Sequence, residues 1–259
     1  MDVEFERLPT PWQVQRIQCG WGFAVLISGD ATVHGVGRSN FTQIDCLPET
    51  ASGAAAGMHH SLFAVPDGIL GRGAFRAGQL GPASPFSLPC GSPAVQLAAG
   101  ARFSLALADD ERTVWAWGDN RLGQFGTRTR EAALTPVPLP LRPHERVLRL
   151  VSGWSFAVAL TDAGRVLTWG RSDYGQLGRA AGSASWEAEI PDAVIDVACG
   201  SEHALALTQG GEVYAWGWNE HGNCGTGGTH NVQRPQKVRG LSGHVRLIGC
   251  GGAHSWAVI

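Results

Sequence analysis

The chain has 259 residues, 44% hydrophobic and 16% charged, with a formal net charge of −2, which gives it enough apolar mass for a large core and makes a disordered chain untenable. Its 36 glycines and ten tryptophans, set among short apolar runs, point to an all-β protein with tight turns. Lys237 is the single lysine and no basic run accompanies the arginines, so the chain lacks the clustered charge that wraps a nucleic-acid backbone; no apolar run reaches the roughly 18 residues of a membrane span.

In chain order, Met1 to Thr10 is acidic and polar, unlike a secretion signal, and Met1 to Trp12 offers at most one outer strand. Six cysteines without a CxxC pair fit a reducing compartment, so a cytoplasmic location, with access to the nucleus, is expected. Asn40-Phe41-Thr42 matches a glycosylation acceptor but has no secretion signal to give it meaning.

From there on the sequence repeats. A glycine preceded by a small residue recurs at Gly20, Gly57, Gly100, Gly153, Gly200 and Gly251. A second anchor follows the first five at 16 to 18 residues: Gly37, Gly73, Trp117-Gly118, Trp169-Gly170 and Trp216-Gly217. Five residues further lie Gly78-Gln79-Leu80-Gly81, Gly123-Gln124-Phe125-Gly126, Gly175-Gln176-Leu177-Gly178 and Gly222-Asn223-Cys224-Gly225, decayed in the first repeat to Thr42-Gln43-Ile44-Asp45. Each unit reads as an apolar strand such as Val194 to Ala198, the anchor glycine in a turn at φ > 0, a strand such as His203 to Thr208, a turn such as Gly210-Gly211, Asp162-Ala163-Gly164 or Asp67-Gly68, and a third strand such as Glu212 to Trp216. Units of about 40 to 50 residues, four short strands each, predict a β-propeller whose blades stack face to face, a single domain over residues 1–259.

The Cys-Gly-x-x-His, Trp-Gly and Gly-Gln-Leu-Gly anchors, which span roughly residues 12 to 259, resemble the repeats of the regulator of chromosome condensation family. The resemblance implies a seven-bladed propeller of four-stranded blades, of which about six repeats are present here. Cys199 to His203 and Trp216 to Gly225 look like two subfamilies, the alpha-tubulin suppressor type, which partners a small zinc-binding electron carrier in diphthamide and tRNA wobble-uridine modification, and the secretion-regulating exchange-factor type, of which the first is favoured. Trp169 to Arg179 looks closer to the secretion-regulating exchange-factor type, which implies a small GTPase as partner. Chromatin binding is the weakest implication, because the family's basic tail has no counterpart.

No HExxH, GxSxG or P-loop motif is present, so no catalytic residue, metal or cofactor is assigned, and the expected role is protein docking. Cys19, Cys199 and Cys250 share one repeat position with Ala56, Ala99 and Ser152, which makes them small packing residues. His60, His203 and His254 alternate with Phe23, Phe103 and Phe156, which makes them core rings. Candidate contacts are side chains that break the pattern in loops on one disc face: Trp218, Asn219, Glu220 and His221 in the fifth repeat, Asp173 and Tyr174 in the fourth, and Trp21 and Trp154, which follow anchor glycines where other repeats have smaller or flexible residues.

Overall fold

The computed structural model describes residues 13–127, 134–180 and 182–259. The strand expected within Met1 to Trp12 lies outside them. No helix occurs among the described residues, and hence none long and apolar enough to cross a membrane.

Among the described residues, nineteen strands form six antiparallel sheets, each a blade in chain order. Blade 1 holds β1 (Val14–Cys19), β2 (Phe23–Ser28) and β3 (Val33–Gly37). Blade 2 holds β4 (Gly53–Ala56), β5 (His60–Val65) and β6 (Gly68–Gly73). Blade 3 adds a fourth strand to β7 (Ala94–Ala99), β8 (Phe103–Ala108) and β9 (Val114–Gly118), namely β10 (Thr135–Val137). Blade 4 comprises β11 (Val147–Ser152), β12 (Phe156–Thr161) and β13 (Val166–Gly170). Blade 5 comprises β14 (Val194–Cys199), β15 (His203–Thr208), β16 (Val213–Gly217) and β17 (Val232–Lys237), and blade 6 only β18 (Leu247–Cys250) and β19 (Ser255–Val258).

Blades 3 and 5 are therefore four-stranded, whereas in blades 1, 2 and 4 the outer position is a single bridge, Thr32–Thr50, Ile69–Phe86 and Leu167–Glu187. The outer segments of blades 1 and 2 are short and carry Pro48, Pro85 and Pro89. Proline donates no ladder hydrogen bond, so pairing there cannot extend.

Each inner strand packs on that of the next blade, β1 on β4, β4 on β7, β7 on β11, β11 on β14 and β14 on β18. The core is a series of layers between blades. Phe23, Val25 and Phe63 fill the first, Leu62, Phe86 and Trp117 the second, Phe103, Phe125 and Trp169 the third, and Phe156, Val197 and Trp216 the layers around blade 5. Strands that are apolar on both faces follow from this arrangement, because a middle strand has a blade on either side.

Three sets of hydrogen bonds tie blade to blade. Near the axis, the amides of Trp21, Met58, Ala101, Trp154 and Ser201 donate to the carbonyls of Gly57, Gly100, Trp154, Ser201 and Gly252. On the opposite face, hairpin carbonyls accept from the start of the next blade in Val147 to Glu111, Val194 to Gly164 and Val245 to Gly211. In the layers, the indole Nε1 of Trp117, Trp169 and Trp216 donates to the carbonyl of Gln79, Gln124 and Gln176 of the preceding blade, at 2.8–2.9 Å.

The anchor glycines do not take positive φ, contrary to the sequence expectation; that conformation belongs to the Trp-Gly glycines, such as Gly217 at 101°, and to the Gly-x-x-Gly pairs. The anchors are glycine because space runs out. A Cβ on Gly200 would stand 2.1 Å from the His203 ring and 2.6 Å from the Gly251 carbonyl.

Candidate functional site

The anchor loops and the loops after each third strand emerge on the same disc face, because alternate strands of an antiparallel sheet return to the same end. Backbone bonds join the two loop sets: Arg38 to Gly22, Asp119 to Arg102, Arg171 to Ser155 and Trp218 to Glu202.

Within each third-strand loop a buried side chain fixes the turn. Gln79, Gln124 and Gln176 each accept, through Oε1, the backbone N–H two residues earlier, at 2.9 Å. Gln43 does the same for Phe41, so the decayed first repeat keeps this device. Asn120 Oδ1 accepts from the Phe125 amide and Asn219 Oδ1 from the Cys224 amide, both at 2.8 Å.

Asn219 is thus a correction to the expected contact set. It is fully buried, and its Nδ2 donates to the carbonyls of Gly228 and His230. The signal was present in the sequence: Asn120 stands at the same offset after Trp-Gly, which makes asparagine there a repeat residue.

The other candidates reach the face. Trp218 is half-buried and meets the exposed His221 edge-on at 5.0 Å, and Glu220 is exposed beside them. Asp173 is exposed and pairs with Arg171, Nε to Oδ1 at 2.5 Å and Nη2 to Oδ2 at 2.8 Å. Arg171 also lies over the Tyr174 ring at 4.4 Å. Hydrogen bonding to Arg171 holds the Asp173 carboxyl below its usual range. Trp21 and Trp154, from blades 1 and 4, meet edge to face at 5.0 Å over the axis, with Trp21 52% exposed.

Glu202 is a carboxylate that could pair across a site but for which the sequence offers no partner; the structure supplies several. It is 8% exposed, and burial pushes its carboxyl up. Ser155 Oγ donates to both its oxygens, Gln176 Nε2 donates at 2.8 Å, and Arg171 stands 3.6 Å away. Glu202 therefore joins blades 4 and 5 beneath the face. A mirrored arrangement occupies blade 3, where Arg121 makes a bidentate pair with Asp119 and Arg102 approaches the same carboxylate at 3.8 Å. The face thus carries both signs of charge in fixed pairs flanked by tryptophans.

Among the described residues, no group of three His, Cys, Asp or Glu converges on a possible metal position. Burial pushes the Cys224 and Cys250 thiols up to about 12 and raises that of Cys199, which leaves them protonated packing groups. Cys19 instead is exposed.

Successive antiparallel sheets joined blade to blade around an axis, with a face of loops at one end, define a β-propeller. The RCC1-like domain model matches residues 2–257, and the chain belongs to that family. It is 32% identical over 302 residues to the bovine (Bos taurus) secretion-regulating guanine nucleotide exchange factor, an alignment that covers 95% of the chain and 64% of that relative. Among solved structures it is similar to human WBSCR16, with a TM-score of 0.76, 22% identity and coverage of 97% of this chain and 74% of that one. It is also similar to Prp20p of Saccharomyces cerevisiae, whose structure was described with its binding properties to Gsp1p and histones. The TM-score there is 0.80, the identity 21%, and coverage 94% of this chain and 68% of that one.

Proposed function

We propose that the chain docks a small GTPase on the face that carries Trp218, Glu220 and Asp173 and promotes release of its bound guanine nucleotide. The observation that carries this reading is the similarity to a secretion-regulating exchange factor along 95% of the chain, although the chain spans only 64% of that relative. The same similarity favours a GTPase over the small zinc-binding electron carrier as partner. The charged pairs and aromatic rings of the face supply what such a partner requires.

Exchange needs no covalent step. A factor that binds the nucleotide-free partner more tightly than the loaded one weakens nucleotide binding by the same ratio, and added nucleotide must then release the factor. The test is release of a fluorescent GDP analogue from a panel of small GTPases. Accelerated release from at least one, slowed about tenfold or more by Trp218→Ala combined with Glu220→Ala, is the expected result. The variant should keep its thermal midpoint within a few degrees. Unaccelerated release from every GTPase in the panel would overturn the reading.

A further inference from the structure

Between the loops of blades 2, 3 and 4 the same face opens into a cleft whose lining includes Arg76, Arg102, Arg121, Arg171 and Arg179. Its wall is aromatic: Trp169 and Trp186 lie 6.1 Å apart between ring centroids. The carboxylates in and beside the cleft are already shared. Asp119 serves both Arg102 and Arg121, while Asp173 and Glu202 serve Arg171. Two guanidiniums stand apart from them. Arg76 is exposed, and among the described residues it has no carboxylate within ion-pair distance. Arg179 is half-buried against Trp186, and among the described residues its Nη1 donates only to neutral oxygens, including the carbonyls of Thr168 at 3.0 Å and Trp186 at 3.3 Å. Burial pulls its pKa down to about 10. A cation taken from water without an anion carries a desolvation cost that an arriving carboxylate offsets.

We propose that this cleft receives an extended acidic peptide segment of a protein partner, with carboxylates on Arg76, Arg102 and Arg179 and an apolar side chain against Trp186. The geometry argues against a compact phosphate. The arginines are spread over three successive blades, and the loop amides needed to cradle a phosphate are used within the loops, Gly123 to Asn120, Gly126 to Gly123 and Gly178 to Gly175. Asp119 and Asp173 between the arginines also oppose a continuous nucleic-acid backbone, which places a phosphate at every step. Guanidinium forks pair bidentately with carboxylates, and exposed pairs of this kind steer association in a salt-dependent way.

This proposal rests on the reading that the face docks a protein, but its test needs no GTPase. The probe is a fluorescein-labelled peptide, Glu-Asp-Leu-Glu-Phe-Asp-Glu, titrated with the full chain by fluorescence anisotropy at low salt. Saturable binding is expected, weakened about tenfold or more by Arg76→Glu with Arg102→Glu and weakened again at 0.3 M salt. Both side chains are exposed, so the variant should fold, and its thermal midpoint verifies this. Inorganic phosphate, GTP and an oligo-dT strand serve as competitors. No saturable binding, binding indifferent to the double variant, or displacement by phosphate or GTP at concentrations where ionic strength alone has no effect would each overturn the proposal. So would oligo-dT binding more tightly than the peptide. Peptide binding without accelerated exchange strikes only the GTPase reading, and accelerated exchange without peptide binding strikes only the cleft.

Discussion

His60 and His203 occupy a position that three other repeats fill with phenylalanine, and the structure shows what the ring nitrogen changes. Ser104 Oγ donates to the Gln79 carbonyl and Ser255 Oγ to the Asn223 carbonyl. Each serine therefore accepts from its histidine, so Nε2 of His60 and His203 carries the proton, at 2.8 and 3.0 Å. The buried Nδ1 of His60 has no partner. Burial lowers the pKa of His60 to about 3 and that of His203 to about 4, from 6.5. The unfolded chain thus takes up these protons before the folded one does. Their stabilising contribution is intact above pH 6.5 and is lost as pH falls towards 4, with a slope of up to about 1.4 kcal/mol per pH unit for each histidine. His203→Phe should flatten the acid limb of stability by up to one proton while costing little at pH 7. Urea melts of both proteins at pH 7 and pH 5 measure this, and equal losses in the two would contradict the assignment. The exchange of His for Phe was visible in the sequence, which identified a packing site. The tautomer was not, because it depends on serines 44 and 52 residues away.

At the scale of the blade, the anchor turn shows how one residue type can be required for two different reasons. Gly217 is glycine because its φ is 101°. Gly200 is glycine because the His203 ring and the Gly251 carbonyl occupy the place of a Cβ. The same clash recurs at Gly100 and Gly153 against Phe103 and Phe156. Gly200→Ala should therefore destabilise by about 2 kcal/mol or more and Gly200→Val by more still, since neither the buried ring nor the next blade's backbone has room to retreat. A thermal midpoint for Gly200→Ala within a degree or two of the parent would show that the layer yields. The sequence located this turn at every blade but misassigned its cause, because a glycine compelled by dihedral angle and one compelled by crowding leave the same letter. Asn219 failed as a contact residue in the same way, since its place in a loop concealed that its amide closes the loop from inside.

Across the described residues, the strands of each blade pack chiefly on those of its neighbours in the series, so stability accumulates layer by layer. The pair Trp21 and Trp154 also joins blades 1 and 4 across the axis. An edge-to-face pair of this kind is worth about 0.5–1.5 kcal/mol beyond burial. A double-mutant cycle of Trp21→Ala and Trp154→Ala, read by denaturant unfolding, should return a coupling of about that size. Additive effects would mean that the rings do not support one another. In blades 1 and 6, Ile17 and Val258 are exposed, whereas their counterparts Val197 and Leu207 in blade 5 are buried.

The sequence alone determined the repeat, the strand order within each blade, the hairpin turns and the layer residues, because each follows from short-range spacing repeated five times. It also located the loops that form the face. Tertiary structure decided which loop residues work together. Glu202 with Ser155 and Gln176, Asp119 with Arg102, and the arginines of the cleft are each drawn from separate strands or blades, and spacing along one blade carries no information about its neighbour's side chains. It also decided that the anchor glycines answer to crowding, because the atoms that crowd them include the backbone of the following blade, about fifty residues further along the chain.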